Sequence, residues 1–149
     1  MTEKEKMLSQ QLYMASDPEL VRERREAKRL TRLINDSTED QAEYRIQLFK
    51  ELFGKVGKNI WLEPPLRVDY GCNTYIGDNF FANYECIILD VGRVIIGDNV
   101  MFGPRVGLYA AGLSLIHIWE VHAFSASSME METGPYSKVS RSVTSPMRV

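Results

Sequence analysis

The sequence predicts a mainly β chain with an N-terminal α segment, its β part a parallel β-helix of hexapeptide repeats. Three observations carry this prediction. Apolar or small residues recur at every sixth position: Ile76, Ala82 and Ile88, then Ile96, Phe102 and Leu108. The tetrapeptide Ile-Gly-Asp-Asn occurs twice, at Ile76–Asn79 and Ile96–Asn99. The copies lie 20 positions apart, which is three hexads plus a two-residue insertion, Val94 and Ile95. Repetition at a fixed short period marks a solenoid, and a hexad marks the β-helix in particular. Each hexad supplies one short strand, with its apolar residue inward, and a bend. Gly-Asp-Asn takes the corner, where Gly or Asn accepts a positive φ. Ordinary hairpins are the alternative, because Ile-Gly-Asp-Asn also suits a β-turn. The six aligned hexad starts oppose it, since hairpin strands vary in length.

Composition sets the class. The chain has 149 residues, 44% hydrophobic and 26% charged, enough for one domain or one and a half. The net charge of -2 gives no long-range attraction to nucleic acid or to acidic membranes. No apolar run approaches the roughly 20 residues of a membrane span. The opening MTEKEKMLSQQ is charged and helical in pattern, unlike a signal peptide. Cys72 and Cys86 lack metal or redox spacing and read as free thiols in a reducing cytoplasm.

Residues 1–57 read as helical. Thr2 and Glu5 form a capping box, followed by Met7, Leu8, Leu12 and Tyr13 at helical spacing. Ser16-Asp17-Pro18 restarts the helix with a capping side chain and an early proline. The second helix runs to about Asn35, its partial stripe made by Leu20, Val21, Ala27, Leu30 and Ile34. Thr38 with Gln41 reads as another capping box, opening a third helix that carries Tyr44, Leu48, Phe49, Leu52 and Phe53. Gly54 and Gly57 end it. The middle helix holds Arg22, Arg24, Arg25, Lys28, Arg29 and Arg32, interleaved with Glu19, Glu23 and Glu26. No aromatic residue stands there to stack on bases, so the pattern reads as a solvated face laced with i,i+4 pairs. Its apolar stripe, like those of the neighbouring helices, needs the solenoid or another subunit to pack on.

Asn59 to Tyr70, NIWLEPPLRVDY, leaves the helical pattern, and Pro64-Pro65 forces an extended path. This is the expected first, imperfect coil. Trp61 is the expected plug of its open end.

Residues 2–112 resemble the maltose and galactoside O-acetyltransferases of the hexapeptide-repeat class. The resemblance rests on TEKEKML, LYMASDPEL and the run LFGKVGKNIWLEPPLRVDYGCNTYIGDNFFANYECIILDVGRVIIGDNVMFGPRVGLYAAG. It combines a helical N-terminal domain with the EPP, DYG, FAN and IGDN stretches in order, and LDV at Leu89–Val91 looks like the maltose branch. The resemblance implies a left-handed parallel β-helix assembled as a homotrimer. It implies acetyl-CoA as co-substrate along the groove between subunits, with no permanently bound cofactor and no metal. It also implies a histidine that takes the proton from a sugar hydroxyl, whose oxygen then attacks the thioester. Asp69 of DYG and Asn83 of FAN fall on acceptor-binding positions, and Asp17 corresponds to an N-terminal carboxylate reaching the sugar. Read from the residues alone, Asp69 is also a turn residue, Asn83 a corner or ladder residue, and Asp17 a helix N-cap. Zinc-dependent carbonic anhydrases share the solenoid, but they need several interface histidines, and residues 1–112 contain none.

The resemblance stops at Gly112. The family continues with His-Pro after one small residue, whereas here Leu113-Ser114 follow, so the general base is absent. His117 lies four positions too late, and His117 with His122 makes a poor metal pair without a third ligand. Residues 113–149 lose the hexads, become serine-rich, and read as disordered or loosely attached. LSLIHI is also what the bases CTG-TCT-CTT-ATA-CAC-ATC encode, a transposase end used in sequencing-library preparation. This tail is therefore a candidate artefact of gene assembly. The expected organisation is a helical domain (1–57), a truncated β-helix (58–112) and a non-family tail (113–149). Two functions follow: a sugar O-acetyltransferase present as an inactive N-terminal part, or a non-catalytic oligomerising module. Neither involves nucleic acid or a membrane.

Overall fold

A computed structural model describes residues 1–110 together with the backbone of Met147–Arg148. Leu113, His117 and His122, and with them the readings of a missing base and a poor metal pair, lie outside the described residues.

The N-terminal helices start where their caps direct. In α1 (Glu3–Leu8), Thr2 Oγ1 accepts from Glu5 N at 3.1 Å and Glu5 Oε2 accepts from Thr2 N at 2.7 Å, completing the expected box. In α2 (Pro18–Asn35), Asp17 accepts from Glu19 N at 2.9 Å and proline occupies the first turn. The start of α3 (Ala42–Leu52) differs from expectation. Gln41 does accept from Thr38 N, but the Thr38 hydroxyl turns to the Asp40 carboxylate at 2.5 Å, and Gln41 takes the N-cap without a side-chain bond. The amide three residues on, Gln41 N, donates to the Thr38 backbone carbonyl at 3.1 Å, so a turn takes it and the hydroxyl caps nothing. Among the interleaved charges of α2, Glu26 and Arg29 pair at 2.6 Å, an exposed i,i+3 contact of small stabilising value.

After α3 the chain winds through nine short strands: β1 (Lys55–Val56), β2 (Trp61–Leu62), β3 (Leu66–Val68), β4 (Thr74–Ile76), β5 (Phe81–Ala82), β6 (Cys86–Leu89), β7 (Val94–Ile96), β8 (Met101–Phe102) and β9 (Gly107–Tyr109). They form three parallel sheets, β1-β4-β7, β2-β5-β8 and β3-β6-β9. The register repeats every 20 residues: Lys55 against Tyr75 against Ile95, Trp61 against Phe81 against Met101, and Ile87 against Gly107. All these pairings are parallel, so the hairpin alternative is excluded. A strand β10 (Met147–Arg148) pairs parallel with Val94 and Ile95, extending the first sheet. These two residues thus depart from the loosely attached tail the sequence suggested, because the outer edge of β7 offers them backbone partners.

The hexad residues fill the interior. Ile76, Ala82, Ile88, Ile96, Phe102 and Leu108 are all buried, and the Phe80 and Phe102 rings meet edge to face at 5.2 Å. The period continues through the expected first coil, at the buried Leu62 and Val68. Trp61 is not the plug. Strand side chains alternate, Leu62 holds the inward position, and Trp61 is therefore turned to the outer face. There its ring meets Phe49 edge-on at 6.2 Å and lies 4.9 Å beneath the Arg45 guanidinium. The end of the coil is covered by the helices instead: Leu30, Ile34, Phe49, Leu52 and Phe53 join one core with Leu62 and Leu66. Asn35 completes this cap. Its side chain donates to Leu66 O at 2.9 Å and accepts from Leu66 N at 2.8 Å, occupying the free edge of β3 as another strand would.

Candidate functional site

The corners of the coil carry the polar side chains. At the corner between the first and second sheets, Asn59, Asn79 and Asn99 have φ of 53°, 56° and 58°. Their amides form a ladder, Asn59 to Asn79 at 3.1 Å and Asn79 to Asn99 at 2.9 Å. Asp78 and Asp98 accept from Lys58 N and Asp78 N, at 2.8 and 2.7 Å. This corner is structural, since its side chains are spent on one another.

Asp69 stands where β3 ends. Its backbone amide donates to Ile88 O at 3.1 Å. Its carboxylate is half-buried and, among the described residues, makes no hydrogen bond. Burial raises its pKa, and the nearby charges of Lys28 and Arg24 oppose the rise. Asp69 therefore offers an unspent acceptor beside two cations. Asn83 stands where β5 ends, half-buried, with Oδ1 accepting from Tyr84 N at 2.8 Å. Its amide N–H groups have no partner among the described residues. Asp17 serves as the cap of α2, so its carboxylate is engaged locally.

One chain does not bring Asp69 and Asn83 together. Asn83 lies at the corner before β6, whereas Asp69 stacks level with Leu89 at the other end of that strand. Six residues of extended chain separate the two corners, up to about 20 Å.

Sequence reading missed two residues at the Asp69 corner. Asp90 is fully buried and accepts from Tyr70 N at 2.8 Å and Thr74 Oγ1 at 3.0 Å, while its backbone carbonyl accepts from Asn73 Nδ2 at 2.8 Å. It holds the turn in which Gly71 adopts φ +73°. Burial raises its pKa against the opposing pull of these donors. Arg24 donates to Tyr70 Oη and to Ala15 O, each at 2.6 Å. The available signal for Asp90 was a carboxylate ending the apolar run Ile87-Ile88-Leu89. Arg24 had none, being one of several arginines on its helix. Burial pushes the thiols of Cys72 and Cys86 up to about 11 and about 12, so neither is a ready nucleophile. Among the described residues no cluster of His, Cys, Asp or Glu fits a metal ion, and no helix is long and apolar enough to cross a membrane.

Comparison with known proteins bears on this arrangement. Residues 6–57 match the maltose acetyltransferase hexapeptide capping motif. A putative acetyltransferase of Dictyostelium discoideum is 47% identical over 74% of this chain and 57% of its own length. The crystal structure of a maltose O-acetyltransferase from Clostridium difficile 630 superposes with a TM-score of 0.76 at 52% identity, over 78% of this chain and 63% of that one. Over about three quarters of its length the chain is similar to the maltose/galactoside O-acetyltransferase family. A galactoside acetyltransferase in complex with coenzyme A superposes with a TM-score of 0.74 at 38% identity, over 78% of this chain and 58% of that one. The chain spans a little over half the length of the curated relatives it matches. The helices that match the capping motif are those that close the first coil.

Proposed function

We propose that residues 1–112 are the N-terminal part of an acetyl-CoA-dependent O-acetyltransferase acting on a maltose- or glucose-like sugar in the cytoplasm, and that the chain as written does not turn over. The carrying observation is the helix-capped coil with a 20-residue register, shared with solved acetyltransferases. In this reading residues 1–57 are the cap, 58–112 a truncated left-handed β-helix, and 113–149 a tail outside the family. Coenzyme A bound to the galactoside acetyltransferase supports acetyl-CoA as co-substrate.

In the proposed reaction a histidine takes the proton of a sugar hydroxyl. The hydroxyl oxygen attacks the thioester carbonyl, the C–S bond breaks, and coenzyme A leaves with a proton. Here Leu113 stands at the histidine position, and its aliphatic side chain accepts no proton. Loss of a general base costs about 10²- to 10⁴-fold in rate. The unspent Asp69 carboxylate and Asn83 amide are the proposed sugar contacts, with Asp17 a third whose capping bond must be shared. Because Asp69 and Asn83 occupy different corners, the proposed homotrimer is what sets a corner of one copy beside that of the next. A thiol-release assay with acetyl-CoA and maltose, glucose or a galactoside tests the reading, and no turnover is expected. Turnover that Asn83→Ala abolishes would show the base reading to be wrong.

A second reading, a non-catalytic oligomerising module, is favoured by the outer faces. Met101 is 69% exposed and Tyr109 40%, and half-buried Phe81, Ile87, Leu89 and Ile95 also face outward. A discrete trimer in sedimentation that binds no acetyl-CoA supports this module. A monomer that binds acetyl-CoA overturns it.

A further inference from the structure

Residues 1–17 are bound to the rest of the molecule differently from the other helical residues. Among the described residues one main core takes in α2, α3 and the coil. Met7, Leu20 and Tyr70 form a separate small cluster, with Leu8, Tyr13, Cys72 and Val91 against it. Met7 is the only buried residue of α1, and α1 has six residues, too few to be stable by itself. The loop after it leaves Leu12 97% and Met14 63% exposed. Polar contacts do the fastening. Lys4 pairs with Glu23, which also accepts from Cys72 Sγ at 3.6 Å. Arg24 joins the loop to the coil, with one nitrogen on Ala15 O and the other on Tyr70 Oη.

We propose that residues 1–17 form a strap that opens as a unit while the coil stays folded, with Arg24 as its latch. Opening uncovers Cys72 and the Tyr70 edge of the corner that carries Asp69. The small separate cluster sets the strap at the low end of local stability, whereas the coil shares the main core with α2 and α3. Arg24 is the latch because two nitrogens of its rigid fork each hold an acceptor on a different segment, a span the single nitrogen of a lysine does not match. The opening does not depend on the acetyl-transfer reading.

The two cysteines provide the test. Cys72 is half-buried against the strap's Met7 cluster and Cys86 is fully buried inside the coil. The full chain is treated with N-ethylmaleimide under native conditions, and each site is followed by mass spectrometry. Cys72 is expected to react about a hundredfold faster than Cys86. Arg24→Lys and Lys4→Ala are each expected to speed Cys72 about tenfold without changing Cys86. Amide exchange over residues 3–17 in the same samples should be insensitive to low denaturant, unlike that of β6. A common rate for both cysteines overturns the strap, as does exchange in residues 3–17 that follows β6. A Cys72 rate that ignores both variants overturns the latch.

Discussion

Replacing Asp90 tests how the corner beside Asp69 is held. Asp90→Ala removes the acceptor for Tyr70 N and Thr74 Oγ1, and for the Gly71 amide. Tyr70 and Thr74 are both buried, so water does not replace the lost partner. A stranded buried donor costs about 1–3 kcal/mol. With the Thr74 hydroxyl free to turn elsewhere, the two amides set the loss at about 4 kcal/mol. Asp90→Asn keeps one acceptor oxygen for the amides, and its new N–H₂ group can donate to the Thr74 hydroxyl. Its cost at neutral pH is about 1 kcal/mol or less. The two variants also separate by pH. Burial raises the folded-state pKa of Asp90 above its unfolded value, so the folded state binds the proton more tightly. Its contribution is then fully present below the unfolded value, near pH 4, and is lost as pH rises through the folded value. Asparagine does not titrate. The stability of the unsubstituted chain relative to Asp90→Asn is therefore largest in acid and declines toward neutrality. Urea titrations followed by circular dichroism, repeated across that range, read both effects. Equal losses for Asn and Ala, or a difference that stays flat with pH, would refute the account of a buried, desolvated carboxylate.

Two further substitutions probe the coil. Ile88→Ala removes three carbons from a fully buried position between Val68 and Leu108, worth about 2.4 kcal/mol of transfer and about 4 kcal/mol once the cavity is added. Urea denaturation checks it, and a loss below about 1 kcal/mol would mean that Ile88 does not face the interior. Asn79→Ala breaks the middle rung of the amide ladder and places alanine at φ 56°, for a loss of about 2–3 kcal/mol by the same measurement. Asn79→Gly is expected to recover about 1 kcal/mol of that by relieving the backbone.

Local signals were legible in the sequence wherever one segment suffices to satisfy them. Thr2 with Glu5, and Asp17 before Pro18, cap helices because the donors lie within three residues. The six hexad residues are all buried because a fixed period leaves one direction for the apolar side chains. Asn79 and Asn99 were read as corner residues and take that conformation. Expectation failed where the deciding partner is distant or competing. Thr38 lost its capping role because the Gln41 amide bonds the Thr38 backbone carbonyl in a turn. Trp61 was expected to plug the coil, but its neighbour Leu62 holds the inward position and α3 supplies the cover.

The candidate site divides in the same way. Asp69 and Asn83 were proposed as site residues from motif alone, and each keeps a polar group without a partner among the described residues. Their placement on different corners was not recognisable, because it depends on how many residues the chain spends along each face. Nor was the buried state of Asp90, whose donors Tyr70 and Thr74 stand 20 and 16 positions away. The sequence by itself determined the winding: a regular spacing of apolar side chains fixes which atoms must leave water, and local caps fix where helices begin. Only the tertiary structure decided which polar groups are spent on the fold and which remain for a ligand. That choice is made by desolvation and by contacts between successive coils, which are adjacent in space but a full turn apart in the chain.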